Sequence, residues 1–276
     1  MDNEKIIYYN LHDEHPDPAD YSRHCHSGYE IIYVVDGEGR YVVEGTEYEL
    51  CANTLMVFCP NEFHYVDVSP NHVYDRYVIH FDKSFLQGDS EYLVKRFDEK
   101  PLGEGNFYSA MDIPLSVLSV YERLNNLSVL PKAEAKIMTK MLLGELLVLL
   151  SVASPTEKKS ESEPLGAKVT RYLNENISAP LSLDELAKKF YVSKFYLCRT
   201  FKAYNGVSIV GYINSKRIML AKEMIESGET ASNAAFRVGF GDYSSFYRAY
   251  KKTVGHAPKK ADVLQDKMLT HYKDKD

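Results

Sequence analysis

Three histidines and a glutamate recur at spacings that can bring their donor atoms together. His24-Cys25-His26, then Glu30 and Gly37, reads H-x-H-x3-E-x6-G, and Pro60-Asn61-Glu62-Phe63-His64 follows. Side chains alternate along a strand, so His24 and His26 point one way and Cys25 the other. With His64 from a neighbouring strand they would form a facial nitrogen and carboxylate set suited to Fe, Mn or Ni. The same groups can instead hydrogen-bond a polar ligand or line a pocket. Tyrosines crowd this region, and Tyr33 and Tyr41 are taken with His24, His26, Glu30 and His64 as the candidate effector-binding set. A tyrosine offers a flat apolar face and a hydroxyl, which suits a sugar ring. Ordinary half-buried strand tyrosines are the alternative.

A second set of residues suits contact with a polyanion. After Ser182-Leu183-Asp184-Glu185, a capping box, Leu183, Leu186, Ala187 and Phe190 share an apolar face. Ser193 can cap a following helix that Asn205-Gly206 ends. On it Leu197 and Phe201 face inward, and Lys194, Phe195, Cys198, Arg199 and Lys202 face outward. The pattern repeats after Thr230, with Ala231, Ala234, Ala235 and Val238 inside and Gly239-Phe240-Gly241-Asp242 as the turn. The next helix buries Phe246 and Tyr250 and shows Tyr243, Ser244, Tyr247, Arg248, Lys251 and Lys252. Arginine can donate two hydrogen bonds to guanine, and lysine can neutralise phosphate. Between the two pairs, Ile209 to Ser227 reads as one long helix of nearly 30 Å at about 1.5 Å per residue. Successive major-groove faces on one side of DNA lie about 34 Å apart.

The elements that must position these groups differ along the chain. Residues 21–81 are short runs of Val, Ile and Tyr between turn signals such as Asp36-Gly37-Glu38-Gly39 and Glu44-Gly45, which predicts an antiparallel barrel or sandwich. Leu55-Met56-Val57-Phe58 is apolar throughout and reads as buried on both faces. Pro114 and Pro131 open two predicted helices, 114–127 and 131–153. The second carries a broad stripe of Ile137, Met141, Leu142, Leu146, Leu149 and Leu150, to be covered by the barrel and a second subunit or wholly within one chain. Residues 154–164 hold almost no apolar side chain and read as a flexible linker.

Charge separates the two ends. Residues 1–100 carry 8 Lys+Arg against 20 Asp+Glu, whereas residues 164–262 carry 16 against 8. The basic part can attract nucleic acid. With 276 residues, 45% of them apolar, the composition is that of a globular chain of about two domains. Four cysteines without C-x-x-C spacing exclude a disulfide scaffold and a cysteine zinc site. The acidic start lacks a secretory h-region, and Met141 to Ala153 is too short to span a bilayer, so no membrane partner and a cytoplasmic location are expected.

Residues 165–262 resemble the C-terminal domain of the AraC/XylS family of bacterial transcription regulators. The resemblance rests on Leu183-x-x-Leu186-Ala187, Ser193-x-x-Tyr196-Leu197-x-Arg199-x-Phe201-Lys202, Gly206 and Arg217-Ile218-x-x-Ala221-x-x-Met224-Ile225. It continues through Val238-Gly239-Phe240-x-Asp242, Phe246-x-Arg248-x-Tyr250-Lys251-Lys252 and Gly255-x-x-Pro258. Ala231 and Ala234 stand where the family prefers larger aliphatics, and Lys259-Lys260 where an aromatic–Arg pair is usual. The histidine motif resembles the first motif of cupin barrels; the second is imperfect at His64, which comes one residue early and lacks its glycine. These resemblances imply an α+β multidomain chain. A cupin-like antiparallel β-barrel for effector binding spans 1–112, a helical connector for dimerisation 113–153, and the linker 154–164. An all-α DNA-binding domain with two helix–turn–helix motifs spans 165–265. They imply DNA contacts from Lys194, Phe195, Cys198, Arg199, Lys202, Tyr243, Ser244, Tyr247, Arg248 and Lys251. Promoter DNA, a small-molecule effector such as a carbohydrate, a homodimer and, for an activator, RNA polymerase are the expected partners. No catalytic residue and no resident cofactor is expected. The alternative is a metal-dependent cupin enzyme with an accessory DNA-binding domain, its divalent ion held by His24, His26, Glu30 and His64.

Overall fold

The structure is a computed structural model and describes residues 6–86, 91–114, 116–156 and 163–258. Lys259 and Lys260, and residues 157–162 of the expected linker, lie outside the described residues. The first linker residues are held against the N-terminal domain, where the Thr156 amide donates to the Phe107 carbonyl at 2.8 Å.

The N-terminal domain is antiparallel. β1 (Ile6–Asp13), β7 (Tyr74–Phe81), β2 (Tyr29–Asp36), β5 (Thr54–Phe58) and β8 (Phe107–Tyr108) form a five-stranded sheet in that order. β4 (Thr46–Leu50), β3 (Gly39–Val43) and β6 (His64–Val68) form a second sheet. The arrangement is the cupin-like antiparallel one expected from the sequence, built as two sheets rather than one closed barrel. Among the described residues the ladders stop at the edges of two sheets, and an isolated antiparallel bridge joins His24 to His64. The β3–β4 hairpin turns on Glu44 and Gly45, both with positive φ (50° and 82°), the two-residue turn whose twist matches its strands.

Alternation along β2 sorts its side chains between two cores. Tyr29, Ile31 and Tyr33 join Leu55, Val57 and Ile79 under a layer of helices. Ile32 and Val34 face Tyr41, Val43, Leu50 and Phe58 between the sheets. β5 is buried at all five positions because it serves both cores. The helical layer comprises α1 (Tyr92–Asp98), α2 (Ser116–Asn125) and α3 (Lys132–Val152). α3 buries Leu142, Leu143, Leu146, Leu147 and Leu150 within this chain. Ile137, Met141, Val148 and Val152 stay exposed on its other side.

The C-terminal domain is helical throughout its described residues. α4 (Leu165–Glu175) precedes one helix–turn–helix unit, α5 (Leu183–Lys189) and α6 (Lys194–Asn205). α7 (Ile209–Glu226) leads to the second, α8 (Ala231–Arg237) and α9 (Tyr243–Val254). The hydroxyls of Ser182, Ser193, Ser208 and Thr230 accept the amides of Glu185, Tyr196, Gly211 and Asn233, capping α5 to α8. Asp242 does the same for α9 through the Ser245 amide at 2.7 Å. Among the described residues, no helix is long and apolar enough to cross a membrane.

Candidate effector site and nucleic-acid interface

The Glu30 carboxylate stands at the centre of a buried histidine cluster. His26 Nε2 and His64 Nε2 lie 3.0 and 3.2 Å from Oε2, and His80 Nε2 lies 3.2 Å from Oε1. His24, His26, Glu30 and His64 each bring a donor atom within 4.8 Å of the others. The ring of Phe58 stacks on His64 with centroids 4.1 Å apart. β2 presents Glu30 inward because it shares the parity of Ile32 and Val34. His80 sits opposite Glu30 in the β2–β7 register.

The far nitrogens fix the tautomers. Nδ1 of His24, His26 and His64 lies 2.7, 2.8 and 2.8 Å from the carbonyls of Ser22, Gly28 and Glu62. A carbonyl only accepts, so each Nδ1 carries its proton, and a neutral ring then offers a lone pair at Nε2. Burial, with the His64 and His26 rings, holds His24 down to about 3, so it is neutral. Burial acts to raise Glu30, but His80 and the contacts from His26, His64 and His80 outweigh it and hold the carboxyl well below its ordinary range. His64 Nε2 is buried without a hydrogen bond of good geometry. Each Nε2 facing Glu30 then needs a proton or a cation between the two atoms: a second ring proton, which is the contact that holds the carboxyl low, a donor from a ligand, or a metal ion. The arrangement can therefore bind a polar ligand that donates hydrogen bonds, or a metal ion. Rings that hold a metal through one nitrogen usually donate the other to a carbonyl in this way.

Of the six residues expected to bind an effector, the structure brings four together and separates Tyr33 from them. Tyr33 shares the outward parity of β2 and packs on Tyr121 at 5.4 Å, with its hydroxyl donating to Asn53 Oδ1 at 3.0 Å. Tyr41 faces the inner core but spends its hydroxyl on Tyr74. The sequence reading missed His80; its signal was the pairing of β7 with β2, which no local pattern supplies.

The second candidate surface is formed by α6 and α9. Lys194, Phe195, Arg199 and Lys202 are exposed on α6, and Cys198 is half-buried. Tyr243, Ser244, Tyr247, Arg248 and Lys251 are exposed on α9. Arg199 lies 5.8 Å over the Phe195 ring and 5.7 Å over that of Tyr196, which leaves a planar, cationic face outward. Lys194 pairs with Asp184 at 2.7 Å, so part of its charge is already answered. Behind these faces Leu197, Phe201, Phe246 and Tyr250 are buried. Ala234 and Ala235 are also fully buried, so the small residues of α8 belong to the close-packed core of the second unit.

One side chain of α7 joins the loop that leads into the first unit to the turn of the second. Arg217, 8% exposed, donates from Nε to the Ile177 carbonyl at 2.8 Å and from Nη2 to that of Ala179 at 2.7 Å. Its Nη1 reaches the Gly239 carbonyl, in the turn of the second unit, at 2.7 Å.

Two family models match separate stretches of the chain. The family model described as AraC-like ligand binding domain matches residues 10–125, and that described as helix-turn-helix domain matches residues 186–262. The chain is 23% identical over 256 residues to the HTH-type transcriptional activator RhaS of Klebsiella pneumoniae (strain 342), covering 90% of each. It is 25% identical over 243 residues to YfiF of Bacillus subtilis (strain 168), an HTH-type transcriptional regulator, covering 85% of this chain and 76% of that one. Among solved structures, ToxT of Vibrio cholerae aligns over 97% of this chain and 98% of its own, with TM-score 0.42 and 14% identity.

Proposed function

Because the chain belongs to the AraC family of helix-turn-helix transcription regulators, we propose that α6 and α9 read adjacent major grooves of promoter DNA and that a small polar molecule at the Glu30–histidine cluster sets the outcome. The observation that carries this reading is the pair of capped helices with exposed Arg and aromatic faces on either side of one spacing helix, whose Arg217 joins the loop before the first unit to the turn of the second. Arg199 and Arg248 supply base contacts, and Lys202 and Lys251 supply phosphate contacts. The cluster offers histidine nitrogens and a carboxylate, which suits a ligand with several hydroxyls, carbohydrates among them. The effector must bind one arrangement of the protein more tightly than the other to shift it.

Selection of genomic fragments by the full chain at near-physiological salt tests the DNA reading. Enrichment of paired boxes about one helical turn apart supports it; enrichment of no sequence by the full chain or by its C-terminal domain refutes it. A panel of sugars and other polar metabolites, screened by thermal shift against wild type and His64→Ala, tests the effector site.

Three finer points belong to the same proposal. The protein acts as a regulator in the cytoplasm without catalytic turnover, and as an activator it would meet RNA polymerase through its C-terminal domain. Copies pair through α3, whose exposed Ile137, Met141 and Val148 flank Gly144; no neighbouring atom lies within 4 Å of a Cβ built there, so a second helix can approach closely. Met141→Asp should then shift sedimentation from dimer to monomer.

A second reading is favoured by the tautomers: His24, His26, His64 and Glu30 hold a divalent ion that serves as effector or bridges to it. Such an ion would supply a positive charge for ligand oxygens. Elemental analysis of untagged protein, alongside the His64→Ala variant, tests this directly, since stoichiometric metal lost on substitution is its signature.

A further inference from the structure

The effector site and the DNA-binding domain share a wall one strand thick. Residues 23–26 run antiparallel to 63–65, with the His24 amide donating to the His64 carbonyl at 3.0 Å and the His64 amide returning to the His24 carbonyl at 2.8 Å. Alternation gives this ribbon two faces. His24, His26 and His64 point toward Glu30, whereas Cys25 and Phe63 point into the apolar core of the C-terminal domain. Cys25 is 1% exposed there, and Phe63 packs on Tyr212 of α7 at 5.4 Å.

Two polar residues with positive φ fasten the wall to α7. Glu44 (φ 50°) accepts the Phe63 amide at 2.8 Å, the Lys216 ammonium and the Tyr212 hydroxyl. Asn61 (φ 65°) donates its amide to the His26 carbonyl at 2.8 Å, gives its own carbonyl to Lys216, and donates from Nδ2 to Glu223 Oε1 at 3.0 Å. Glu44 and Lys216 are both buried. Breaking a buried pair leaves an uncompensated charge, although the intact pair adds little stability; its value lies in fixing one arrangement. The residue after Lys216 is Arg217, which joins the α4–α5 loop, leading into the first helix–turn–helix unit, to the turn of the second. α7 therefore faces the effector site on one side and the DNA-reading units on the other.

We propose that this ribbon, latched by Glu44–Lys216 and Asn61–Glu223, transmits the state of the histidine cluster to α7 and so to the relative setting of α6 and α9. The proposal rests on the cluster being the effector site. The latch does not work by covering the DNA face, because the outward residues of α6 and α9 are exposed with the two domains docked.

Cys25 reports the state of the latch, because domain separation uncovers it. Cys59, buried on the helical side of the five-stranded sheet, reports unfolding of the N-terminal domain instead. N-ethylmaleimide labelling of the full chain, mapped by peptide mass, would be compared in wild type, Lys216→Met, Glu44→Gln/Lys216→Met and Glu30→Gln. The double variant removes both charges of the pair and guards against misfolding of the single one. We expect Cys25 labelling to rise about tenfold in Lys216→Met with Cys59 still protected, as for a local opening. Removing the nearby ammonium alone would slow thiolate formation, so acceleration reads exposure. Glu30→Gln, which disturbs only the cluster, should also raise Cys25 labelling, and should add little to Lys216→Met. Both variants should change the affinity ratio between two-box and one-box DNA. Unchanged Cys25 labelling in Lys216→Met and in the double variant overturns the latch; a response to Lys216→Met but not to Glu30→Gln overturns transmission. The thermal-shift panel separates the two readings. A sugar that binds through His64 without moving Cys25 overturns transmission and leaves the effector site standing. No binding, with Glu30→Gln still active on Cys25, removes the effector site and leaves transmission.

Discussion

Arg217→Lys should cost far more than its chemical conservatism suggests. The guanidinium reaches three carbonyls at 2.7 to 2.8 Å, two before α5 and one in the α8–α9 turn. A lysine ammonium keeps the charge but is a single point on a flexible stem, and cannot span the same fork. It can retain one carbonyl and must release about two. Hydrogen bonds from a charged donor contribute about 1.5–3 kcal/mol each, and water can reach part of a site that is 8% exposed, so a loss of about 3 kcal/mol follows. The chain has no tryptophan, so denaturation is best followed by far-ultraviolet circular dichroism. Arg237→Lys is the control, because Arg237 pairs with Glu229 at 2.8 Å on the surface and should change stability by less than about 0.5 kcal/mol. DNA binding gives a second readout. Loss of the clamp frees the two units to move relative to each other, so affinity for two-box sites should fall more than affinity for one-box sites. An Arg217→Lys protein within about 1 kcal/mol of wild type, with the two-box advantage intact, would refute the clamp.

Other perturbations probe the remaining elements. Arg199→Ala and Arg248→Ala should each weaken binding to a selected site by about 1–3 kcal/mol in fluorescence anisotropy; equal loss on every sequence would assign them to phosphate. Gly39→Ala should lower the melting temperature sharply, since φ is +143° and a Cβ would stand 2.1 Å from the Asp67 carbonyl oxygen; an unchanged melt would refute that close approach. Burial raises the Glu223 carboxyl above its ordinary 4.5, against the hydrogen bond from Asn61. The folded chain then holds this proton more tightly than the unfolded chain, so stability from this group is lost as pH rises through and above the usual glutamate range. Glu223→Gln should therefore gain on wild type between about pH 4 and pH 7 in paired melts, and a difference that stays flat with pH would contradict the shift.

What the sequence disclosed was local. Helix starts were legible because Ser182, Ser193 and Thr230 stand where their hydroxyls meet amides three residues on. His24, His26 and Glu30 were legible as a set because one turn separates them within a few residues. Parity was not legible. Tyr33 and Glu30 lie three apart on one strand, so alternation sends them to opposite faces, and residue type says nothing about which face is the pocket. His80 and Glu30 meet only because β7 pairs with β2 across fifty residues of chain. Closure of the barrel is likewise a property of edge ladders, and strand-like composition cannot show whether the last pair forms.

α7 shows most plainly what charge patterns leave out. Lys216 and Arg217 lie mid-helix among Ile213, Ile218 and Met219; periodicity puts Arg217 in line with Ile213, Leu220 and Met224 but says nothing of the partners either charge would meet. Both are buried, facing different neighbours. A buried lysine or arginine persists only with partners, and these partners come from residues 44, 61, 177, 179 and 239. Neither domain alone satisfies both side chains. Lys216 without the N-terminal domain loses Glu44 and Asn61, and Arg217 without the α4–α5 loop or the second unit's turn loses part of its fork. The helix that reads as a spacer is thus an element whose buried charges require both domains to be assembled, and that dependence makes it a natural place for a signal from the histidine cluster to reach DNA.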